Sequence, residues 1–169
     1  MTEDGQRVEV LRRIDAPAAH IFDILATPQR HVDLDGSGML RGPVVNRRLS
    51  DVGDIFTMRM HRLGRDYLMI NYVVVFEPHR RIAWEPAPGD LDTAGGDRTR
   101  IGIPSGYSWG YHLTPDGDGA TFVTEVFDCG PAENRWILER EGGSWINGSN
   151  SVVVSMTATL EQLEKISTE

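Results

Sequence analysis

The clearest hydrophobic pattern in the chain lies near its end. From Asn150 to Ile166, Val153, Met156, Leu160 and Leu163 recur at steps of three and four, the spacing of one helix face. Thr157, Glu161, Glu164 and Lys165 fall on the other side. Asn150 or Ser149 suits the start, because a short polar side chain satisfies an open backbone N–H there. Val152, Val153 and Val154 are β-branched and read locally as strand. The helical spacing after Met156 decides for a helix of about 25 Å at ~1.5 Å per residue. Such a helix needs a sheet to cover its apolar face.

The rest of the chain supplies one. Gln6 to Ile14 alternates as a strand. Asp15 and Pro17 then suit a helix start, with Ile21, Phe22 and Leu25 on one face of a short helix from Pro17 to Ala26. Thr27-Pro28 opens a second short helix ending near Asp33, and Gly36-Ser37-Gly38 breaks it. Six strands follow: Met39 to Leu49, Asp54 to Leu63, Tyr67 to Glu77, Arg81 to Glu85, Tyr107 to Thr114 and Ala120 to Asp128. Short turns such as Leu63-Gly-Arg and Pro115-Asp-Gly-Asp-Gly imply antiparallel neighbours. Two stretches are irregular: Pro86 to Gly106, rich in Gly, Asp and Pro, and Cys129 to Gly148, with Trp136, Ile137 and Trp145 as apolar anchors. A loop as long as the first is functional or mobile in most compact domains. This order predicts an α+β single domain over residues 1–169.

Alternation also predicts which side chains face the helix. The apolar parity selects Phe56, Met58 and Met60; then Leu68, Ile70, Tyr72, Val74 and Phe76; then Ile82 and Trp84; then Tyr107, Trp109, Tyr111 and Leu113. On the last strand both Val123, Glu125, Phe127 and Phe122, Thr124, Val126 fit. Each of these residues also suits ordinary core. As a set, rich in Trp, Tyr and Met, they suit a pocket for a hydrophobic ring or chain.

Composition narrows the partners. A net charge of −8 disfavours nucleic acid and anionic membrane surfaces. The single cysteine, Cys129, rules out an internal disulfide. The start of the chain lacks the basic-then-apolar layout of a signal peptide, and no long apolar run predicts membrane insertion, so a cytoplasmic location is expected. An apolar patch around Trp136 to Trp145 would suit a homodimer.

Several local motifs carry a resemblance. They are Ile14-Asp-Ala-Pro-Ala-Ala-His-Ile-Phe, Asp51-Val-Gly-Asp-Ile-Phe, Val75-Phe-Glu-Pro-His-Arg-Arg-Ile-Ala-Trp84, Leu113-Thr-Pro-Asp-Gly-Asp-Gly-Ala-Thr, and Met156 to Leu163. With the element order, the chain resembles the START-like (SRPBCC) superfamily, in its bacterial polyketide cyclase/dehydrase-like branch. The resemblance covers nearly the whole chain. It implies a helix-grip fold, a curved seven-stranded antiparallel sheet around a long C-terminal helix, with two short helices after strand 1. It also implies a deep apolar cavity between sheet and helix, and it favours the inward placement of Val123, Glu125 and Phe127. Cyclases of that branch use an inward arginine on a central strand and a tyrosine near the second helix. Here those segments read Ile70-Asn-Tyr-Val-Val-Val-Phe76 and Leu34-Asp-Gly-Ser-Gly-Met39, which contain neither.

The expected function is binding of a small hydrophobic molecule, such as a lipid, polyketide or isoprenoid. Expected lining residues are Met58, Tyr72, Trp84, Trp109, Tyr111, Glu125, Trp145 and Met156. The short helices and the Pro86–Gly106 loop would gate the opening. Glu125 has two readings: an inward carboxyl with raised proton affinity, fit for acid–base work, or an outward or arginine-paired one. A cyclase or dehydratase using Tyr72 or Glu125 is the enzymatic alternative. A partner-binding module whose cavity is filled is another. His31, Asp33 and Asp35 lack the spacing of a calcium loop, so they are read as capping the second helix. Neither a metal nor a cofactor is expected.

Overall fold

A computed structural model describes residues 7–130 and 152–169. Seven strands form one antiparallel sheet: β1 Arg7–Ile14, β2 Leu40–Pro43, β3 Ile55–Arg62, β4 Arg65–Glu77, β5 Arg81–Pro88, β6 Ser108–Asp116 and β7 Ala120–Asp128. Their spatial order is β1-β7-β6-β5-β4-β3-β2. Two short helices, α1 Ala18–Leu25 and α2 Pro28–Leu34, follow β1, and α3 Val152–Ser167 closes the described chain. This is an α+β helix-grip architecture.

Local chemistry sets these elements. Pro17, at φ −64, occupies the cap position of α1, and Pro28 starts α2. The β3–β4 hairpin turns on Leu63 and Gly64, both at positive φ. The inner face of the sheet buries Ile14, Phe56, Met58, Val73, Ile82, Leu113 and Val123 against Phe22, Leu160 and Leu163 from the helices. The Arg12 guanidinium donates to Glu164 at 2.8 Å, tying the first strand to α3. Gly36, after α2, donates its N–H to Thr159 Oγ1 at 3.0 Å. A side chain at Gly36 would sit 2.2 Å from the Ser155 carbonyl oxygen, so only glycine allows this approach to α3.

Three expectations are corrected. The strand read as Met39 to Leu49 is only Leu40–Pro43. Its register shifts between Leu40 and Gly42, Pro43 ends it, and Val44 keeps one further bond, to the Thr57 carbonyl at 2.8 Å. On β4 the inward parity is the opposite of the expected one up to Val73, and Val74, also expected inward, is 38% exposed. Phe56 pairs with Asn71 and Met58 with Met69, so Asn71 and Val73 point inward while Leu68, Ile70 and Tyr72 point outward. A bulge between Val73 and Val75 resets the alternation, which returns Phe76 to the inner face against Phe22. The expected parity was anchored on Phe76, and one inserted residue reverses everything before it.

The third correction concerns the Pro86–Gly106 loop. Its first residues, Pro86 to Pro88, belong to β5. The remainder is tied to the strand edge and to the outer face. Ser105 and Gly102 donate N–H groups to the Pro86 and Pro88 carbonyls at 3.2 and 2.8 Å, and Leu68 donates its N–H to Asp90 at 2.9 Å. Arg98–Arg100 form a single 3-10 turn capped by Asp97. The loop is a strap on the outside of the sheet, not a gate over its interior.

Candidate functional site

Of the expected lining residues, Met58, Trp84, Trp109, Tyr111, Glu125 and Met156 lie on the side of the sheet that the helices cover. Tyr72 does not. It shares the outer face with Ile55, its partner across β3, which is 58% exposed, and its hydroxyl donates to the Gly102 carbonyl at 2.7 Å. Tyr72 therefore fastens the strap and takes no part in the interior. Trp145, Trp136 and Ile137 lie outside the described residues, as do the expected cap residues Ser149 and Asn150.

β7 takes the parity that brings Glu125 inward. Val123 and Phe127 are fully buried, Phe122 is exposed, and Glu125 is only 5% exposed. Cross-strand pairing sets Glu125 between Tyr111 of β6 and Val10 of β1. Tyr111 and Glu125 are cross-strand partners, and the phenol lies close enough to act on the carboxyl. The carboxyl oxygen Oε2 is buried and has no hydrogen-bond partner among the described residues. Burial pushes the Glu125 carboxyl up to about 8; the neighbouring Tyr111 hydroxyl opposes this, and the nearby negative charge of Asp35 adds to it. The Tyr111 hydroxyl is raised well above its ordinary range, first by burial and then by the charge of Glu125. At neutral pH the pair therefore holds a protonated carboxylic acid beside a phenol.

An aromatic chain leads from this pair to α2. Trp84 lies 6.1 Å from Tyr111 between ring centroids, and the His31 ring stacks on Trp84 at 5.2 Å with an interplanar angle of 21°. Phe56 meets both edge-on, at 5.6 and 5.4 Å. His31 is buried, and its Nε2–H donates to the Leu25 carbonyl at 2.7 Å. Burial pushes this imidazole down to about 4, so it is neutral at physiological pH. The expected capping role for His31 is thus replaced by an interior one. Asp35 does organise the turn, accepting from Ser37 N–H at 2.9 Å and Leu40 N–H at 2.8 Å. Asp33 pairs with Arg30 on the surface.

His31 was the interior residue that sequence reasoning missed. Its signal was present: Pro28, His31 and Leu34 stand three apart, and all three are buried. Beyond Tyr111 the wall continues through Tyr107, which burial pushes up to about 12, and Trp109, whose ring lies 4.4 Å from Phe127. Tyr67, on β4, is close enough to act electrostatically on Tyr107; its own hydroxyl is raised by burial, with the charge of Arg62 opposing and that of Asp35 adding. Met156 of α3 packs in the same cluster as Phe127. Among the described residues no group of three or more His, Cys, Asp or Glu side chains is arranged to hold a metal ion. Two surface grooves, of about 270 and 370 Å³, open along β3 and its neighbours, and neither reaches the Tyr111–Glu125 pair.

Comparison with solved structures shows what this arrangement shares with other proteins. Protein Ms6760 from Mycobacterium smegmatis superposes with a TM-score of 0.67 over 99% of this chain and 94% of its own, at 17% identity. The Polyketide_cyc-like protein Cgl2372 from Corynebacterium glutamicum gives a TM-score of 0.51 at 20% identity, covering 96% of this chain and 89% of its own. The fold is polyketide-cyclase-like. In sequence, the chain is 30% identical over 122 residues to Uncharacterized protein Rv0088 of Mycobacterium tuberculosis, which covers 72% of this chain. The chain spans about half the length of the curated relatives it matches. No family model matches it. Among the described residues no helix is long and apolar enough to cross a membrane.

Proposed function

We propose that this single START-like domain binds a small hydrophobic molecule between the inner face of its sheet and α3. The observation that carries the reading is the buried oxygen of Glu125, without a partner among the described residues, at the end of an aromatic wall. A packed core does not leave a carboxyl oxygen unsatisfied without cost; a polar group lost from water without a partner costs ~1–3 kcal/mol. A ligand that supplies the missing partner recovers that energy. Trp84, Trp109, Tyr107 and Met156 offer it broad apolar contact, and Tyr111 and Glu125 fix its polar end. The Tyr72 role belongs to the strap, so the lining is Met58, Trp84, Trp109, Tyr111, Glu125 and Met156.

Native mass spectrometry of the purified protein tests this directly, followed by organic extraction and identification of what is released. A co-purifying lipid, polyketide or isoprenoid is the expected result. A clean unliganded mass, with no thermal stabilisation across a panel of hydrophobic compounds, overturns it.

The same geometry favours one second reading, a cyclase or dehydratase without a metal. Glu125 would exchange a proton with the substrate and Tyr111 would hold the carboxyl in place. Its proton affinity near neutrality is what an acid–base group needs. Turnover of a bound polyketide by the wild type, lost in Glu125→Gln, would distinguish this from binding alone.

A further inference from the structure

We infer that β1 is a docking edge for a second copy of this chain, with the two sheets joined antiparallel across a two-fold axis at Leu11. The inference is independent of the ligand reading. It also uses a different surface from the apolar patch expected around Trp136 to Trp145.

The two edges of the sheet are built differently. β2 is blunted: it has four residues, its register shifts between Leu40 and Gly42, Pro43 ends it, and α2 lies against it. β1 has none of these features. It runs for eight residues without proline, in unbroken register with β7. Among the described residues β7 is its one sheet neighbour, and Arg7–Ile14 make no backbone–backbone bond outside that ladder. In an antiparallel pair every second residue directs its N–H and C=O away from the partner, so these groups face the open side. Leu11 stands at the middle of the outer face, 63% exposed, where a protected edge would carry a charge.

The outer face reads Arg7, Glu9, Leu11, Arg13 and then Asp15. When two copies share one continuous sheet with their inner faces on the same side, opposed residues have numbers of the same parity. Each register is then set by the residue on the axis. With Leu11 on the axis, Arg7 stands opposite Asp15 of the second copy, Glu9 opposite its Arg13, and Leu11 opposite its Leu11. Both charged pairs are of opposite sign. With Val10 on the axis, Arg7 meets Arg13. With Arg12 there, Glu9 meets Asp15 and Arg12 meets itself. With Glu9 or Arg13 there, like again meets like. The strand is self-complementary in one register, and opposite charges facing each other across strands favour that pairing.

This pairing leaves the ion pairs within the chain in place. Arg7 lies 3.4 Å from Glu9, and Arg13 lies 2.5 Å from Asp15. Set against each other, the two pairs form a square of alternating charge, once on each side of the axis. Arg13 also holds Asp116 at 2.7 Å, and Arg7 lies 3.9 Å from Asp128. On the inner face Arg12 stays with Glu164 and Glu161, and the buried Val8 and Ile14 come opposite each other.

Sedimentation velocity of the full chain, over roughly 5 to 500 µM at low salt, tests this in the range of a small interface. The wild type should pass from monomer to dimer with concentration. Glu9→Arg sets two arginines against each other on both sides of the axis, and Arg13→Glu does the same with two glutamates. Each should raise the dissociation constant by at least about tenfold, and by less at high salt. The two single variants mixed in equal amounts should associate, because every opposed pair is again of opposite sign. The double variant Glu9→Arg/Arg13→Glu should dimerise for the same reason. Recovery on mixing cannot come from an unfolded chain, so it separates a lost interface from a lost fold.

A wild type that stays monomeric over the whole range overturns the inference. So does a dimer whose affinity is unchanged in both single variants, which would place the interface on another surface. Failure of the mixed variants to associate overturns the register at Leu11 and with it the charge ladder that carries the inference.

Discussion

The two ends of the sheet's inner face are built differently. At one end, Phe22, Phe76, Ile14, Leu113, Val123, Leu160 and Leu163 interlock, with edge-to-face rings at 5.3 Å. At the other, half-buried Tyr107, Trp109 and Trp84 share the face with Glu125, whose buried Oε2 has no hydrogen-bond partner among the described residues. Both lie under the same helix. The first end has the composition and closure of a folding core. The second spends apolar surface on rings and keeps a polar group that a core would have replaced. The difference teaches that one face can hold the fold together at one end and leave a buried polar group at the other, where the proposed ligand would sit.

Truncation should expose this contrast most strongly. Phe22→Ala removes a ring from the interlocked end and should cost ~3–5 kcal/mol in urea unfolding. Trp109→Ala, at the other end, should cost under about 2 kcal/mol, because the Trp109 ring is only partly buried. Equal losses would show that the two ends are one core.

The buried acid gives the next effect. Its folded-state affinity, about 8, lies above the 4.5 of an unfolded glutamate, so the folded chain binds the proton more tightly. Its contribution is complete below about 4.5 and is lost as pH rises to about 8. Glu125→Gln should therefore be more stable than the wild type at pH 9, by on the order of a few kcal/mol. Chemical denaturation at several pH values checks this, and an unchanged pH profile would sink it.

His31 works in the opposite sense. Its folded value of about 4 lies below the unfolded 6.5, so stability is complete above 6.5 and is lost as pH falls toward 4. Between 4.5 and 6.5 the two slopes partly cancel in the wild type. His31→Phe keeps a ring against Trp84 and should leave only the Glu125 slope, rising on acidification. Glu125→Gln should leave only the His31 slope. Smaller still is Tyr72→Phe, which removes the bond to Gly102 and should cost ~0.5–1.5 kcal/mol with no change in ligand binding. Loss of binding in that variant would return Tyr72 to the interior.

Much of this fold was legible in the sequence because its signals are local. The i, i+3, i+4 spacing of Met156, Leu160 and Leu163 and the Gly and Pro turns depend on residues close in the chain. β4 was misread because the bulge at Val74 leaves no mark on the apolar count: Leu68, Ile70 and Tyr72 look as buriable as Met69, Asn71 and Val73. A polar Asn71 on the inner face, donating to the Phe56 carbonyl at 3.2 Å, runs against the pattern that parity arguments rely on. His31 sits in a helix of seven residues, too short for periodicity to assign a face with force. The parity of Glu125 was open from β7 alone, since both of its faces are apolar enough. What fixed it is tertiary: β7 is flanked on both sides, and its register with Tyr111 and Val10 sets which face the helices cover.

The placement of the first strand has a consequence for how the chain is made. Among the described residues β1 has one neighbour in the sheet, β7, and Arg7 pairs with Asp128, 121 positions later (128 − 7). At roughly 5–20 residues per second of synthesis, β1 emerges ~6–24 s before its partner. During that interval Val8, Val10 and Ile14 lack the strand they pair with. Closure over so long a separation also places this protein among slow folders, in which most chain entropy is lost before the final pairing is gained. A nascent chain paused before residue 120 therefore carries β1 without the strand it pairs with.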